Sequence, residues 1–328
     1  MQYLYYNMNC EVTIGKVVFD RVNSITIMSS IKKLADTATI VVPRAFNRAT
    51  IAGKPGSLEK RNITEYIKVD DPVSIKLGYD GNLEEEFSGY ITKIGADIPL
   101  KIECMDEMTL LKKNNFTRTF ASASLMELLN YIAPEYTHEV IDDVNLQKFT
   151  INNKSGFQVL ELLRKNYGLH SYFKDKVLHV GFPISLIPTQ NHRFVLNKNV
   201  RAKSNNLKFV KKEDVKLLLK AISINTDGGR IFSEFGDKGG AQRTLHFSNK
   251  TLEELKNLAE KNYKSLSFDG YQGNIPGWGI PRTKPGDAIE ITAPKYSERD
   301  GRYLIEGVTI KFNGSDGFLR ENKLSLKL

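Results

Sequence analysis

The hydrophobic positions of this 328-residue chain change period twice. Up to about residue 118 they alternate. Ala38, Ile40 and Val42 are interleaved with Thr39 and Val41, and Pro43 ends the run; Val73, Ile75 and Leu77 are interleaved with Ser74 and Lys76; Ile102 and Cys104 alternate with Lys101 and Glu103. Period two with one polar face is the signature of half-buried antiparallel strands. Asp80-Gly81, just after Leu77, predicts a tight turn, because glycine takes positive φ without steric cost. The stretch from Arg44 to Ile67, with Gly53, Pro55 and Gly56, reads as a long irregular loop.

Between about 119 and 190 the period becomes helical. Ser124 and Glu127 have the spacing of a capping box, Leu125, Leu128, Leu129 and Ile132 share one face, and Pro134 stops the helix. Ser155 with Gln158 opens a second helix carrying Val159, Leu160, Leu162 and Leu163, which Gly168 ends. A hairpin follows, with Tyr172 and Phe173 facing Val177 and Leu178 across residues 174–176. From about 191 strands return, anchored by Phe194 and Val195, Ile222 and Ile224, Ile289 and Ile291, Leu304, Val308 and Ile310, and Leu324 to Leu328, with a turn at Asn313-Gly314. One helix interrupts near 248–266: Thr251 and Glu254 cap it, and Leu252, Leu255, Ala259 and Tyr263 form its expected stripe. Lys211 to Ile224 fits either a buried strand or a helical turn.

The two β-rich ends share a motif. Asp71-Pro72-Val73-Ser74-Ile75 precedes Gly89-Tyr90-Ile91, and Gly286-Asp287-Ala288-Ile289-Glu290-Ile291 precedes Gly301-Arg302-Tyr303-Leu304. Each has an acidic turn, an alternating strand, a polar loop and a strand that begins at glycine. The pattern therefore predicts an α+β, β-rich chain in which one β module occurs twice, at 1–118 and 191–328, around a small α/β domain at 119–190.

Composition narrows this only a little. Hydrophobic residues at 41% and charged residues at 26% exclude wholesale disorder and fibrous repeats. A net charge of +9 over this length is mild and permits an acidic partner. Cys10 and Cys104 make no disulfide framework and fit a reducing compartment. No apolar run approaches a bilayer span, since Val177 to Pro188 is interrupted by His179, Gly181 and Pro183, and Met1 to Cys10 lacks the features of a signal peptide.

A search for chemistry finds no catalytic set, cofactor motif or metal motif. There is no P-loop and no strand-linked dinucleotide fingerprint, and Gly228-Gly229 to Gly239-Gly240 reads as inter-strand loop. Gly314-Ser315-Asp316-Gly317 is one residue short of a nucleophile elbow. If Lys174-Asp175 is a two-residue turn, His170 and His179 face each other and begin a metal site, or else are ordinary strand positions. Asp80, Asn82 and Glu84 lack the glycine and the final glutamate of a calcium loop. Glu84-Glu85-Glu86 reads as a surface acidic patch. The basic run Arg201, Lys203, Lys208, Lys211, Lys212, Lys216 and Lys220 contains a single aromatic, Phe209, so a solvated face or an acidic protein partner is favoured over specific nucleic-acid binding. Trp278, the lone tryptophan, either anchors an interface or covers the end of a β domain. Lys211, Lys212, Lys216 and Trp278 are the candidate partner-interface residues.

The order Thr37-Ala38-Thr39-Ile40-Val41-Val42-Pro43, Asp71-Pro72-Val73-Ser74-Ile75, Phe87-Ser88-Gly89-Tyr90-Ile91 and Leu110-Leu111-Lys112-Lys113 resembles the N-terminal barrel of phage tail baseplate hub proteins of the late control D family, which are similar to the hub half of type VI secretion spike proteins. Val159 to Leu169, with Tyr172-Phe173 and Val177-Leu178, resembles the small domain of that family, and Pro285-Gly286-Asp287 with Asp300-Gly301-Arg302-Tyr303 its second barrel. The resemblance implies two similar antiparallel β-barrels per protomer, the second with the helical insertion. It further implies a homotrimer that adapts a six-fold tail tube to a three-fold spike, assembled in the bacterial host cytoplasm and located in the virion tail baseplate. A structural rather than enzymatic role follows from it, without a cofactor. Beyond Leu324-Ser325-Leu326 no spike repeat is seen, so the spike, and any lysozyme activity, is expected on a separate protein. The competing reading is a cell-wall hydrolase or glycan-binding tail component, drawing on Tyr263, Tyr271 and the acidic cluster. A third is nucleic-acid binding through residues 201–220.

Overall fold

The computed structural model describes residues 7–43, 49–51, 54–56, 63–141, 144–146, 148–182, 187–200, 207–225 and 227–328. The N-terminal region contributes strands β1 (Met8–Ile14), β2 (Val17–Phe19), β3 (Ser24–Ser30), β4 (Thr37–Val42), β5 (Ala49–Ile51), β6 (Lys54–Gly56), β7 (Pro72–Tyr79), β8 (Asn82–Ile94) and β9 (Leu100–Met105). The middle holds β10 (Asn115–Phe120), α1 (Leu125–Ile132), β11 (Thr137–Val140), β12 (Phe149–Ser155), α2 (Gly156–Tyr167), β13 (His170–Lys174) and β14 (Val177–Gly181). Then come β15 (Asn191–Val195), β16 (Leu207–Val210), β17 (Leu217–Ile224), β18 (Arg230–Gly236), β19 (Ala241–Ser248), α3 (Leu252–Leu266), β20 (Gly270–Trp278), β21 (Ala288–Thr292), β22 (Gly301–Asn313) and β23 (Gly317–Lys327).

The β-rich α+β class read from the sequence is the class observed. The closed barrels implied by the resemblance are not. Among the described residues one path of paired strands runs β16-β20-β23-β22-β3-β4-β9-β8-β7-β1-β2-β5-β6, with β21 and β15 branching from β22. The path does not close at β3, because one edge of that strand is taken by β4 and the other by β22. With 13 residues, β22 reaches roughly 43 Å at strand rise. It pairs with β21 near its start, with β23 along its length, and with β3 of the other β unit from Gly307 to Asn313. Across this seam Ile27 faces Ile310 and Ile25 faces Phe312. One hydrophobic cluster therefore draws on both β units, with Ile40, Ile75 and Ile102 from the first and Phe194, Ile289 and Ile305 from the second.

The α/β unit has its own core around Leu128, Leu129, Leu160, Leu163 and Leu178. Its caps form as the sequence specifies. Ser124 accepts from the Glu127 N–H, and Ser155 and Gln158 make a reciprocal capping box. Gly168 ends α2 at φ +71°, and a Cβ there would lie 2.1 Å from Nδ1 of His246, so glycine answers both the left-handed backbone and the close approach. β10, which straddles residue 118, pairs with β12 of this unit.

The ambiguous 211–224 segment contains β17, the central strand between antiparallel β18 and parallel β19. Alternation of Leu217, Leu219 and Ala221 buries one face, and Ala221 joins Phe247, Leu255 and Ala259 in a small cluster under α3. Leu252, expected in the stripe of that helix, sits at its first position and is exposed. Cys10 and Cys104 are buried free thiols pushed up to about 12, chiefly by burial and further by Asp20 and Glu103 respectively. Among the described residues no helix is long and apolar enough to cross a membrane.

If the seam joins the two β units into one cooperative body, Ile27→Ala will lower stability by about 2–5 kcal/mol. Hydrogen exchange in β8 and in β23 should then accelerate together. Acceleration confined to the N-terminal strands would show that the units open independently.

Candidate functional site

The sequence repeat is a repeat of backbone geometry. Before β7, the Asp71 N–H donates to the Lys68 carbonyl at 3.2 Å, and the Lys68 N–H donates to Oδ2 of Asp71 at 2.8 Å. Before β21, the Asp287 N–H donates to the Lys284 carbonyl at 3.2 Å, and the Lys284 N–H donates to Oδ2 of Asp287 at 2.9 Å. Asp70, at φ +73°, donates to the Ile91 carbonyl at 2.9 Å; Gly286, at φ +89°, donates to the Ile305 carbonyl at 2.9 Å. The Ile91 N–H returns a bond to the Asp71 carbonyl at 3.0 Å, and the Ile305 N–H one to the Asp287 carbonyl at 2.8 Å. An aspartate side chain closing a turn onto a backbone N–H is a local device that sequence specifies. The same corner thus occurs twice, each time tying the segment that enters one strand to its antiparallel neighbour.

The copies differ in what covers the aspartate. Asp287 is buried, and its carboxylate also accepts from Oγ1 of Thr189 at 2.9 Å and contacts Nε2 of His192 at 3.0 Å. Burial raises its pKa, but the bonds from His192, the Lys284 N–H and Thr189 outweigh burial and hold it below the usual carboxylate range. These bonds pin the segment entering the second β unit. Asp71 lies beside Gly15, and among the described residues no linker side chain bonds its carboxylate as Thr189 does that of Asp287.

Between the copies runs a buried charge clamp. Arg320 on β23 is 2% exposed, and its guanidinium donates to the Gly279 carbonyl at 3.1 Å, the Thr283 carbonyl at 3.0 Å and Oε1 of Glu86 at 2.6 Å. Arg282 lies 3.4 Å from the same Glu86 oxygen and 3.4 Å from Oε2 of Glu84, and donates to the Glu85 carbonyl. Burial lowers the Arg320 pKa while Glu86 opposes that shift. The surface reading of Glu84-Glu85-Glu86 is thus corrected for Glu86, whose side chain is 6% exposed. The cause is a β-bulge. Ile75 faces Phe87 and Lys76 faces Glu85, so Glu86 is the extra residue opposite β7, and a bulge re-aims its side chain. Nothing in three consecutive glutamates marks the one that turns inward. A second clamp joins Lys32, after β3, and Lys323 to Glu306 on β22.

The first clamp borders a cavity of about 490 Å³ that also reaches Asp36 and Asp106. Asp36 accepts from the Ser30 N–H at 3.2 Å, and Asp106 accepts from the N–H groups of Asp36 and Met108 at 3.0 and 3.1 Å. Burial raises Asp36 to about 6, assisted by Glu107 and opposed by bonds from Ser29 and Ser30. Burial and, after it, the neighbouring Asp36 hold Asp106 well above the usual carboxylate range. Their hydrogen bonds to backbone N–H groups tie the β3–β4 turn to the start of the α/β unit.

The residues singled out from sequence fall apart in space. Lys211 precedes and Lys212 opens a short 3-10 turn, and the Lys212 N–H donates to Asp269 at 2.7 Å, beside the start of β20. Lys216 is exposed just before β17. Trp278, 47% exposed, is the last residue of β20, roughly 26 Å along the strand from its first. Arg201 and Lys203 lie outside the described residues. His170 and His179 do not face each other: the turn is Asp175-Lys176, both at positive φ, so His179 faces Tyr172 and His170 faces Gly181. A two-residue hairpin turn of this type needs positive φ at both positions; the turn thus sits one residue later than expected, and every cross-strand partner moves by two. His179 stacks on Tyr172 with Nδ1 3.3 Å from Glu139, and burial pushes His170 down to about 4. Among the described residues no three His, Cys, Asp or Glu side chains are grouped to hold a metal. Tyr263 donates to Asp237 and Tyr271 is buried in the shared core.

Two outcomes follow. Glu86→Gln leaves Arg320 buried without its counter-charge and should cost about 3–5 kcal/mol, read as a drop in the urea midpoint; a change within a few tenths would mean the clamp is not closed. The folded pKa of Asp36, about 6, exceeds its ordinary 3.8, so the folded state holds the proton more tightly. Its contribution to stability is complete below about pH 4 and is lost as pH rises through 6. Asp36→Asn should therefore flatten the decline of stability over that window, and an unchanged pH profile would contradict the assignment.

No family model matches the chain, and no curated protein matches it. Solved structures do. A tail protein of Neisseria meningitidis is 16% identical with a TM-score of 0.60, covering 98% of this chain and 97% of its own. The 43 kDa tail protein of prophage MuSo2 from Shewanella oneidensis is 17% identical with a TM-score of 0.60, covering 97% of each. An Escherichia coli component of the type VI secretion system, described as similar to the T4 tail proteins gp27 and gp5, is 10% identical with a TM-score of 0.55, covering 98% of this chain and 77% of its own. At these identities the likeness is one of fold, and over nearly its whole length this chain has the fold of phage tail and type VI secretion hub-like proteins.

Proposed function

We propose that this chain is a structural hub of a phage or prophage tail baseplate, or of a related contractile injection machine. In this reading three protomers form a ring. Each supplies two modules, in the regions 1–118 and 191–328 on either side of the α/β region 119–190. Six similar modules then meet a six-fold tail tube, and the three-fold axis of the ring meets a spike. The observation that carries this is the repeated corner at Lys68–Asp71 and Lys284–Asp287, with the same four backbone and side-chain bonds in each copy.

A symmetry adapter needs its two modules at one fixed angle, because any rocking blurs six positions into three pairs. The β3–β22 seam and the two charge clamps supply that rigidity. The role is non-catalytic: the buried carboxylates of Glu86 and Asp106 are spent on an ion pair and on backbone N–H groups. Its place is the virion tail baseplate, after assembly in the host cytoplasm, with tail tube and spike proteins as neighbours. Lys211, Lys212, Lys216 and Trp278 are its candidate contact residues.

The deciding measurement is the mass in solution by light scattering. Three times the 37.1 kDa protomer is expected, with six lobes in electron-microscopy class averages. A strictly monomeric protein at micromolar concentration would sink the ring.

A further inference from the structure

A second cavity, of about 870 Å³, opens where β19, β23, the end of α2 and the β3–β4 turn meet. Two of its walls are strand edges. Arg243, Thr244, Leu245 and His246, consecutive on β19, all line it. Side chains alternate faces along a strand, so a run of neighbours can line one space only by presenting the strand's edge. β19 is the outer strand of its sheet, paired to β17 on its other side. Leu324, Ser325 and Leu326, consecutive on β23, line it in the same way. β23 is paired to β22 as far as Lys327, but its pairing with β20 stops at Asn274–Lys323, where β20 leaves at Gly273 (φ +102°) to pair with β16. Beyond Lys323 that edge of β23 has no strand partner among the described residues.

The walls are basic. Glu306 engages Lys32 and Lys323, which leaves Arg164, Lys216 and Arg243 facing Asp214. Nδ1 of His170, on the same wall, is buried without a hydrogen-bond partner. A small anion would answer the cations but not the strand edges. Unpaired edges call for backbone donors and acceptors, as in strand addition.

We propose that this cavity is a docking groove for an extended acidic segment of a partner polypeptide, which pairs with the open edge of β23 and turns alternate carboxylates toward Arg164, Lys216 and Arg243. The proposal stands apart from the hub reading, since neither a trimer nor a tail is needed for it. It also gives Lys216 a role distinct from that of Lys211 and Lys212.

The test uses the full chain and a fluorescein-labelled peptide of about eight residues alternating glutamate and valine, followed by fluorescence anisotropy. Saturable binding is expected. A lysine–valine peptide, and a glutamate–valine peptide N-methylated at alternate amides, should each bind at least about tenfold more weakly. Arg243→Glu combined with Lys216→Glu, both exposed positions, should weaken the acidic peptide about tenfold and strengthen the basic one. Equal binding of the N-methylated peptide, or full competition by inorganic phosphate, would reduce the site to an anion pocket and overturn strand addition. No saturable binding of the acidic peptide at millimolar concentration would overturn the groove altogether. The oligomeric state is read separately, so failure here leaves the hub reading to its own measurement.

Discussion

The antiparallel pairing of β3 with β22 is the constraint on which the rest of the molecule depends. Without it the chain would be two small β units, each leaving a row of unpaired backbone groups at an edge. With it, Ile25 and Ile27 lie against Phe312 and Ile310, and a single apolar core spans the two ends of the sequence. Register in such a seam is strongly set, because a slip by one residue would turn every one of these side chains to the wrong face. The relative orientation of the two modules is therefore a property of the core rather than of a linker.

Charge then selects one docking among those the apolar seam would tolerate. A buried ion pair such as Arg320 with Glu86 adds little net stability, since desolvation offsets most of the attraction. It nevertheless penalises every arrangement that leaves either group buried alone. Arg320 spends its remaining donors on the carbonyls of Gly279 and Thr283, so the loop between β20 and β21 is fixed by the same side chain that fixes the modules. Glu306 does the same at the other end of the seam, between Lys32 and Lys323.

The two corners keep one geometry in different surroundings. The four bonds at Lys68–Asp71 recur at Lys284–Asp287, although Asp70 stands where Gly286 does and both are at positive φ. Aspartate tolerates that region better than most residues and glycine takes it freely, so the substitution preserves the turn. What changed is the cover. The parallel strand β15, held by Thr189 before it and His192 within it, lies on the second corner, and the antiparallel strand β1 on the first.

Much of this was legible in the chain. Capping residues, alternation and turn dipeptides act over a few residues, so Ser124, Ser155 and Thr251 marked their helices, Asn313-Gly314 marked its hairpin, and Asp71 and Asp287 marked the repeat. Long-range choices were not legible. Which strand closes the second module depends on β22 meeting β3 across some 280 residues of chain, and this is why closed barrels were implied and an open path was found. The inward turn of Glu86 depends on a bulge fixed by pairing with β7, and the separation of His170 from His179 on a turn that lies one residue later and moves the pairing by two. Local sequence determined the elements and their duplication, because those rest on contacts between neighbours. The joining of the two β units, the charge clamps and the basic groove were decided only when distant strands came together, since each is made of groups that share no local signal.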